Sequence, residues 1–218
     1  MAASWSWTPA SKLCFVTTGA TAPFAALIES VLSPPSLDAL LEHGFTHLLV
    51  QHGSAKDVFA QAAASARSHV QDTQHSLIID GIDFSPHGLH AQLRLVQQSK
   101  GLVVSHAGSG SILDALRFHL PLIVVPNTSL LDNHQEELAV AMERSGYLLR
   151  GRVECVLLHA FLVPIEELTF VTRDLSPAIR KSGEFRSRMS QFPPITSGQH
   201  RETKSFAAVM DETVGFMD

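Results

Sequence analysis

Gly108-Ser109-Gly110-Ser111 stands between an apolar run and a helical one, and its residue types decide what chemistry the chain can offer. Leu102 to Ser105 reads as a buried strand, His106 to Ser111 as a turn, and the residues up to about His119 as a helix. Gly108 and Gly110 allow a backbone shape and a close approach that a Cβ would block. Ser109 or Ser111 is expected to cap the helix through its hydroxyl. The first N–H groups of that helix and the positive end of its dipole would face an anion such as a diphosphate. Asp114, one turn further in, suits the dipole, and its carboxylate can accept two hydroxyls of a ribose diol. Plain stabilisation of the helix start explains Asp114 equally well. Asp132-Asn133-His134-Gln135 opens the next helix, with Asp132 as a plausible cap. Asn133 and Gln135 pair donors with acceptors, which suits sugar hydroxyls and an N-acetyl group, although alone the tetrad reads as a capped helix start.

Other chemistries fit less well. The turn is neither the dinucleotide G-x-G-x-x-G nor a P-loop, which needs Lys-Ser/Thr after its second glycine. Ser105 and His106 are adjacent on a strand and point to opposite faces, and no G-x-S-x-G elbow is present, so a nucleophile–base pair is disfavoured. The twelve histidines form no H-x-x-x-H or H-x-H cluster, which argues against zinc. Only His52 and His106, both after strands, are expected near a ligand. Cys14 and Cys155, the two cysteines, have no metal-ligand spacing and read as reduced thiols. A net charge of −5 without a basic block argues against nucleic acid as the main ligand.

The elements that must position these groups alternate along the 218 residues. Strands are expected at Leu13–Thr18, Phe45–Gln51, Ser76–Phe84, Leu102–Ser105 and Leu120–Pro126. Helices are expected at Phe24–Val31, Ser36–His43, Leu89–Ser99, from Ser111 to about His119, and at Asn133–Ser145, with Gly44 and Gly146 as stops, while the alanine-rich Lys56–His69 reads as a helix or a surface segment. This alternation predicts an α/β fold, a Rossmann-like parallel sheet with helices on both faces. The expected organisation is a leader at 1–12, a ligand-binding domain at 13–149, an atypical insertion and linker at 150–200, and an amphipathic helix at 201–218. Within the insertion, 150–177 reads either as a genuine piece with a small strand or helix or as a stretch from a retained intron. The leader lacks the basic start and apolar run of a secretory signal. The longest apolar stretch, 155–165, is broken by His159 and Pro164 and falls short of the roughly 20 residues that span a bilayer. Any membrane association is therefore expected to be borrowed.

Phe15-Val-Thr-Thr-Gly-Ala-Thr-Ala-Pro-Phe24, the 102–117 unit, Pro121-Leu-Ile-Val-Val-Pro126 and Leu131-Asp-Asn-His-Gln135 together resemble the soluble catalytic subunits of dolichol-pathway UDP-N-acetylglucosamine transferases. That family is similar to the donor-binding C-terminal half of bacterial peptidoglycan GlcNAc transferases of the GT-B fold. The resemblance implies transfer of GlcNAc from UDP-GlcNAc to dolichyl-diphosphate-GlcNAc, the second step of lipid-linked oligosaccharide assembly for N-glycosylation. It implies a diphosphate held by Gly19, Thr21, Gly108, Ser109, Gly110 and Ser111, and a ribose on Asp114. GlcNAc would be read by Asn133, His134 and Gln135, and uracil would stack beside Phe84. It further implies inversion by direct displacement, with no metal or other cofactor beyond the donor substrate. His106 is a candidate catalytic group, but the base is expected on a membrane-anchored second subunit. That partner and the lipid-linked acceptor would hold the chain at the cytosolic face of the endoplasmic reticulum. The alternatives are a non-catalytic UDP-sugar-binding or scaffold subunit, and a small transferase or nucleotide-sugar hydrolase complete in itself.

Overall fold

The computed structural model describes residues 7–20, 22–71, 76–85, 88–127, 134–153 and 174–191. The expectations for Thr21, Asp132, Asn133, Cys155 and the 201–218 helix lie outside these residues, as does most of 150–177.

Among the described residues, short β-branched and aliphatic runs form six strands: β1 (Leu13–Thr17), β2 (His47–Gln51), β3 (Ile78–Ile82), β4 (Leu102–His106), β5 (Leu122–Val125) and β6 (Leu149–Arg150). All neighbours pair in parallel, in the order β3-β2-β1-β4-β5-β6. Among the described residues, seven helices connect or follow them: α1 (Ala25–Val31), α2 (Pro34–Glu42), α3 (Lys56–Gln71), α4 (His90–Gln98), α5 (Ser109–Arg117), α6 (His134–Arg144) and α7 (Ser176–Gln191). Gly44 and Gly146, at φ +72° and +75°, stop α2 and α6 as expected.

Successive strand side chains point to opposite faces, and the sheet is buried on both. Cys14, Val16, Leu102 and Val104 pack with Leu27, Leu37, Phe59 and Ile179, under α1, α2, α3 and α7. Leu13, Phe15, Val103 and Val124 pack with Leu93, Ile112 and Met142, under α4, α5 and α6. Both cores run the length of the strands, which fixes their carboxyl ends as a rigid rim. The fold is the expected Rossmann-like parallel sheet covered on both faces, closed by a C-terminal helix.

Two features depart from the sequence expectations. The sixth strand is only two residues long and joins the edge through Gly151 N–H, which donates to the Val124 carbonyl at 2.9 Å. Helix α7 lies in the stretch read as insertion and linker. It is anchored where Leu175 N–H donates to Ser36 Oγ at 2.8 Å, and Ser36 in turn donates to the Ser30 carbonyl. Arg180 and Glu42 add an exposed pair at 3.0 Å.

Candidate functional site

The strand order reverses between β1 and β4, and at such a point the loops leaving two adjacent strands diverge and open a crevice. The pairing of Thr17 with Ser105 sets the rim there, so Gly19 follows one strand and His106 to Gly108 the other. Ligands in open parallel sheets sit at this place.

Polar side chains brace the rim from below. Thr17 Oγ1 donates to Gln51 Oε1 at 2.5 Å, and Thr18 Oγ1 donates to the Gln51 carbonyl at 3.0 Å. Gly19 N–H points back at Thr17 Oγ1 at 3.3 Å, and Ser105 Oγ donates to the His106 carbonyl at 2.8 Å. The sequence reading missed Gln51 and Thr17. Their signal was a polar residue ending each of two adjacent apolar strands.

The imidazole of His106 lies between the two glycine loops. A Cβ on Gly19 would sit 2.5 Å from its Nε2, and one on Gly108 closer still. Burial holds this ring below the ordinary value of 6.5, partly offset by a hydrogen bond with the Thr17 backbone. Its Nδ1 is buried without a hydrogen-bond partner among the described residues. A neutral ring with an unpartnered nitrogen is thus built into the rim.

Helix α5 starts differently from the serine-capped expectation. The N-cap is Gly108, in an extended conformation (φ −82°, ψ 128°), and no side chain caps the helix. Ser109, Gly110 and Ser111 are its first three residues, because the chain enters helical geometry immediately after Gly108. Ile112 N–H is the first to find a carbonyl, that of Gly108 at 3.1 Å. The N–H groups of residues 109–111 have no carbonyl of their own helix to bond, which is the arrangement that receives an anion.

Asp114 is half-buried on α5 and faces the start of α4. Its Oδ1 lies 3.9 Å from His90 Nε2 and 3.4 Å from Arg117 Nη1. Both partners are mostly exposed, so these pairs bind weakly and leave the carboxylate accessible. Gln135, at the start of α6, accepts Asn127 N–H on Oε1 at 3.0 Å. This holds its amide group against the end of β5 and directs its NH2 elsewhere. His134 is exposed, 3.8 Å from Glu137. Arg150 bridges Glu136 and Glu143 and ties α6 to β6. Phe84 is 52% exposed beyond β3, on the same rim. It lies three strand steps from the α5 turn, on the order of 14 Å. The structure therefore gathers Gly19, His106 and Gly108 at the mouth of α5, places Asp114 further along that helix and Gln135 beyond the end of the neighbouring β5, and leaves Phe84 apart.

Among the described residues no group of three His, Cys, Asp or Glu could hold a metal ion, and no helix is long and apolar enough to cross a membrane.

A parallel sheet of this order, with an amide-lined turn at its reversal, defines a Rossmann-like domain. The chain belongs to the family of glycosyltransferase family 28 C-terminal domains, whose model matches residues 13–186. It is 40% identical over 154 residues to the UDP-N-acetylglucosamine transferase subunit ALG13 of Eremothecium gossypii, covering 66% of this chain and 76% of that one. The Saccharomyces cerevisiae subunit of the same name is 34% identical over 157 residues, covering 63% and 76%. The solution NMR structure of ALG13 superposes with a TM-score of 0.53 at 27% identity, covering 87% of this chain and 91% of that one.

Proposed function

We propose that this chain is the donor-binding, catalytic subunit of an N-acetylglucosaminyldiphosphodolichol N-acetylglucosaminyltransferase. It moves GlcNAc from UDP-GlcNAc to dolichyl-diphosphate-GlcNAc, in the second step of lipid-linked oligosaccharide assembly. The observation that carries this reading is the uncapped mouth of α5 beside the His106 ring, at the switch point of a family 28 domain.

The diphosphate rests on the N–H groups of residues 109–111, against Gly19 and Gly108. These donors are fixed before the reaction, so they stabilise the charge that grows on the departing UDP without reorganising. A diphosphate oxygen beside His106 Nδ1 gives that nitrogen a hydrogen-bond partner and favours its protonated form. Asp114 accepts the ribose hydroxyls, and Gln135, held by Asn127, turns its NH2 group to the sugar. Asn133, His134 and Thr21 complete the donor contacts, and the uracil extends toward the loop carrying Phe84. No metal is needed for this binding, since amides and a helix dipole supply the positive field.

The sugar is displaced directly, with inversion, by the acceptor hydroxyl. The described residues form one sheet and one side of a cleft, so a membrane-anchored partner supplies the base and the acceptor site. The word "subunit" in the names of the relatives supports such a partner. This places the chain at the cytosolic face of the endoplasmic reticulum through that partner. GlcNAc transfer to lipid-linked GlcNAc tests the reading, with the chain alone and co-purified with its membrane subunit. Turnover is expected only from the complex. Turnover by the chain alone contradicts the shared cleft, and a complex whose turnover survives Asp114→Ala and Gln135→Ala contradicts the donor assignment.

A further inference from the structure

At the other end of the sheet, the amino ends of the strands and helix α7 line a cleft of about 80 Å³. Lys12 enters it just before β1, His43 from the end of α2, and Arg186 from α7. Strands of five residues put this cleft on the order of 16 Å from the α5 turn, so one small ligand cannot occupy both.

Lys12 Nζ donates to the His43 carbonyl at 2.7 Å and lies 4.3 Å from the centroid of the Phe45 ring. Arg186 Nη2 donates to the Gly101 carbonyl. An ammonium and a guanidinium each have further N–H donors beyond one such bond. Among the described residues neither cation has a carboxylate within ion-pair reach. His43 Nε2 is buried in the same region, also without a hydrogen-bond partner among those residues. Burial, and then the charge of Arg186, hold the Lys12 ammonium below its usual range; burial does the same to Arg186. Two half-buried cations lining one cleft, without a carboxylate beside them among the described residues, are costly neighbours unless an anion lies between them.

We propose that this cleft is a second anion site, separate from the diphosphate turn, which takes one small oxyanion (a carboxylate or a phosphate) on the remaining donors of Lys12 and Arg186. The guanidinium fork matches two oxygens of either group. The cleft is small, with room for one such group. Because Arg186 is on α7 and Lys12 leads into β1, the bound anion links the C-terminal helix to the first strand. Binding therefore stabilises the docked helix in proportion to anion concentration.

The test is amide NMR of the ¹⁵N-labelled full chain, titrated at constant ionic strength with inorganic phosphate and, in a second arm, with sodium acetate. Saturable shifts at residues 43–45, 101–102 and 182–186 are expected in at least one arm, and the arm that saturates identifies the group. Arg186→Gln and Lys12→Gln should each weaken that binding about tenfold. Shifts confined to residues 106–111, or shifts that grow linearly in both arms, overturn the proposal. So does folded Arg186→Gln protein that binds as tightly as the wild type. If both variants fail to fold, the wild-type titration decides the matter by where its shifts fall and whether they saturate.

Discussion

Gly19 lies so close to the imidazole of His106 that a β-carbon built on it would be 2.5 Å from Nε2. Gly108 crowds the same ring from the neighbouring loop, so the two glycines form a slot for one side chain. Gly108 has an ordinary φ of −82°, and Gly108→Ala should displace the ring without straining the backbone. The expected result is about a tenfold rise in KM for UDP-GlcNAc, a loss of about 1.4 kcal/mol in donor binding, with a stability loss of about 1 kcal/mol from crowding the ring. Gly19 sits at φ +82°. Gly19→Ala should therefore show the same binding defect and, in addition, lose about 1–2 kcal/mol of stability.

The His106 slot also gives a pH signature. Its folded pKa is depressed by burial, so below the ordinary 6.5 the unfolded chain binds a proton that the folded chain resists. More protons on the unfolded state means that stability falls as pH drops below 6.5 and is fully present above it. His47, lowered by the same cause, acts in the same direction. His106→Gln should flatten the loss of Tm between pH 7 and 5 relative to wild type, without abolishing it. Donor binding should show the reverse linkage, since a diphosphate beside Nδ1 favours the protonated ring. UDP-GlcNAc affinity should rise as pH falls through this window, and calorimetry in buffers of different ionisation enthalpy should detect proton uptake that His106→Gln removes.

Asp114 separates recognition from structure. Its pairs with Arg117 and His90 are long and exposed, so Asp114→Ala should change stability by less than about 0.5 kcal/mol. The same change should raise KM for UDP-GlcNAc about tenfold, by removing an acceptor of charge-assisted hydrogen bonds from the ribose. Arg117→Ala should alter neither quantity by more than twofold. A large stability loss with intact donor binding would assign Asp114 to the helix start alone.

Gln135 can be divided by its two ends. Its Oε1 holds Asn127 N–H, a bond that Gln135→Glu preserves and Gln135→Ala removes. Gln135→Glu should retain wild-type stability, whereas Gln135→Ala should lose about 1 kcal/mol. Both remove the NH2 group and should weaken use of UDP-GlcNAc to a similar extent. Thermal unfolding and steady-state kinetics on the same preparations make the comparison.

Much of this architecture was legible because each strand is a short β-branched or aliphatic run and each helix carries a one-face stripe. The turn at 106–111 was legible because two glycines interrupt that rhythm where a strand gives way to a helix. Its cap was not, since a serine one residue past the start looks the same in sequence as a serine at the cap. Helix α7 was hidden because its buried face is Ala178, Ile179, Ser182 and Phe185, with a serine in the stripe and Gly183 beside it. The two-residue β6 is too short for any periodicity. His106 appeared in sequence only as a histidine after a strand; the slot around it comes from Gly19, nearly ninety positions earlier, and needs the β1–β4 pairing to exist.

The central claim is that the donor's diphosphate rests on the N–H groups of residues 109–111 beside His106. Titrating UDP-GlcNAc into the ¹⁵N-labelled chain measures this directly, by following the amides of Gly19 and residues 106–111. The account predicts saturable shifts there, weakened about tenfold in Gly108→Ala. Saturable shifts elsewhere on the chain with these amides unmoved would contradict it.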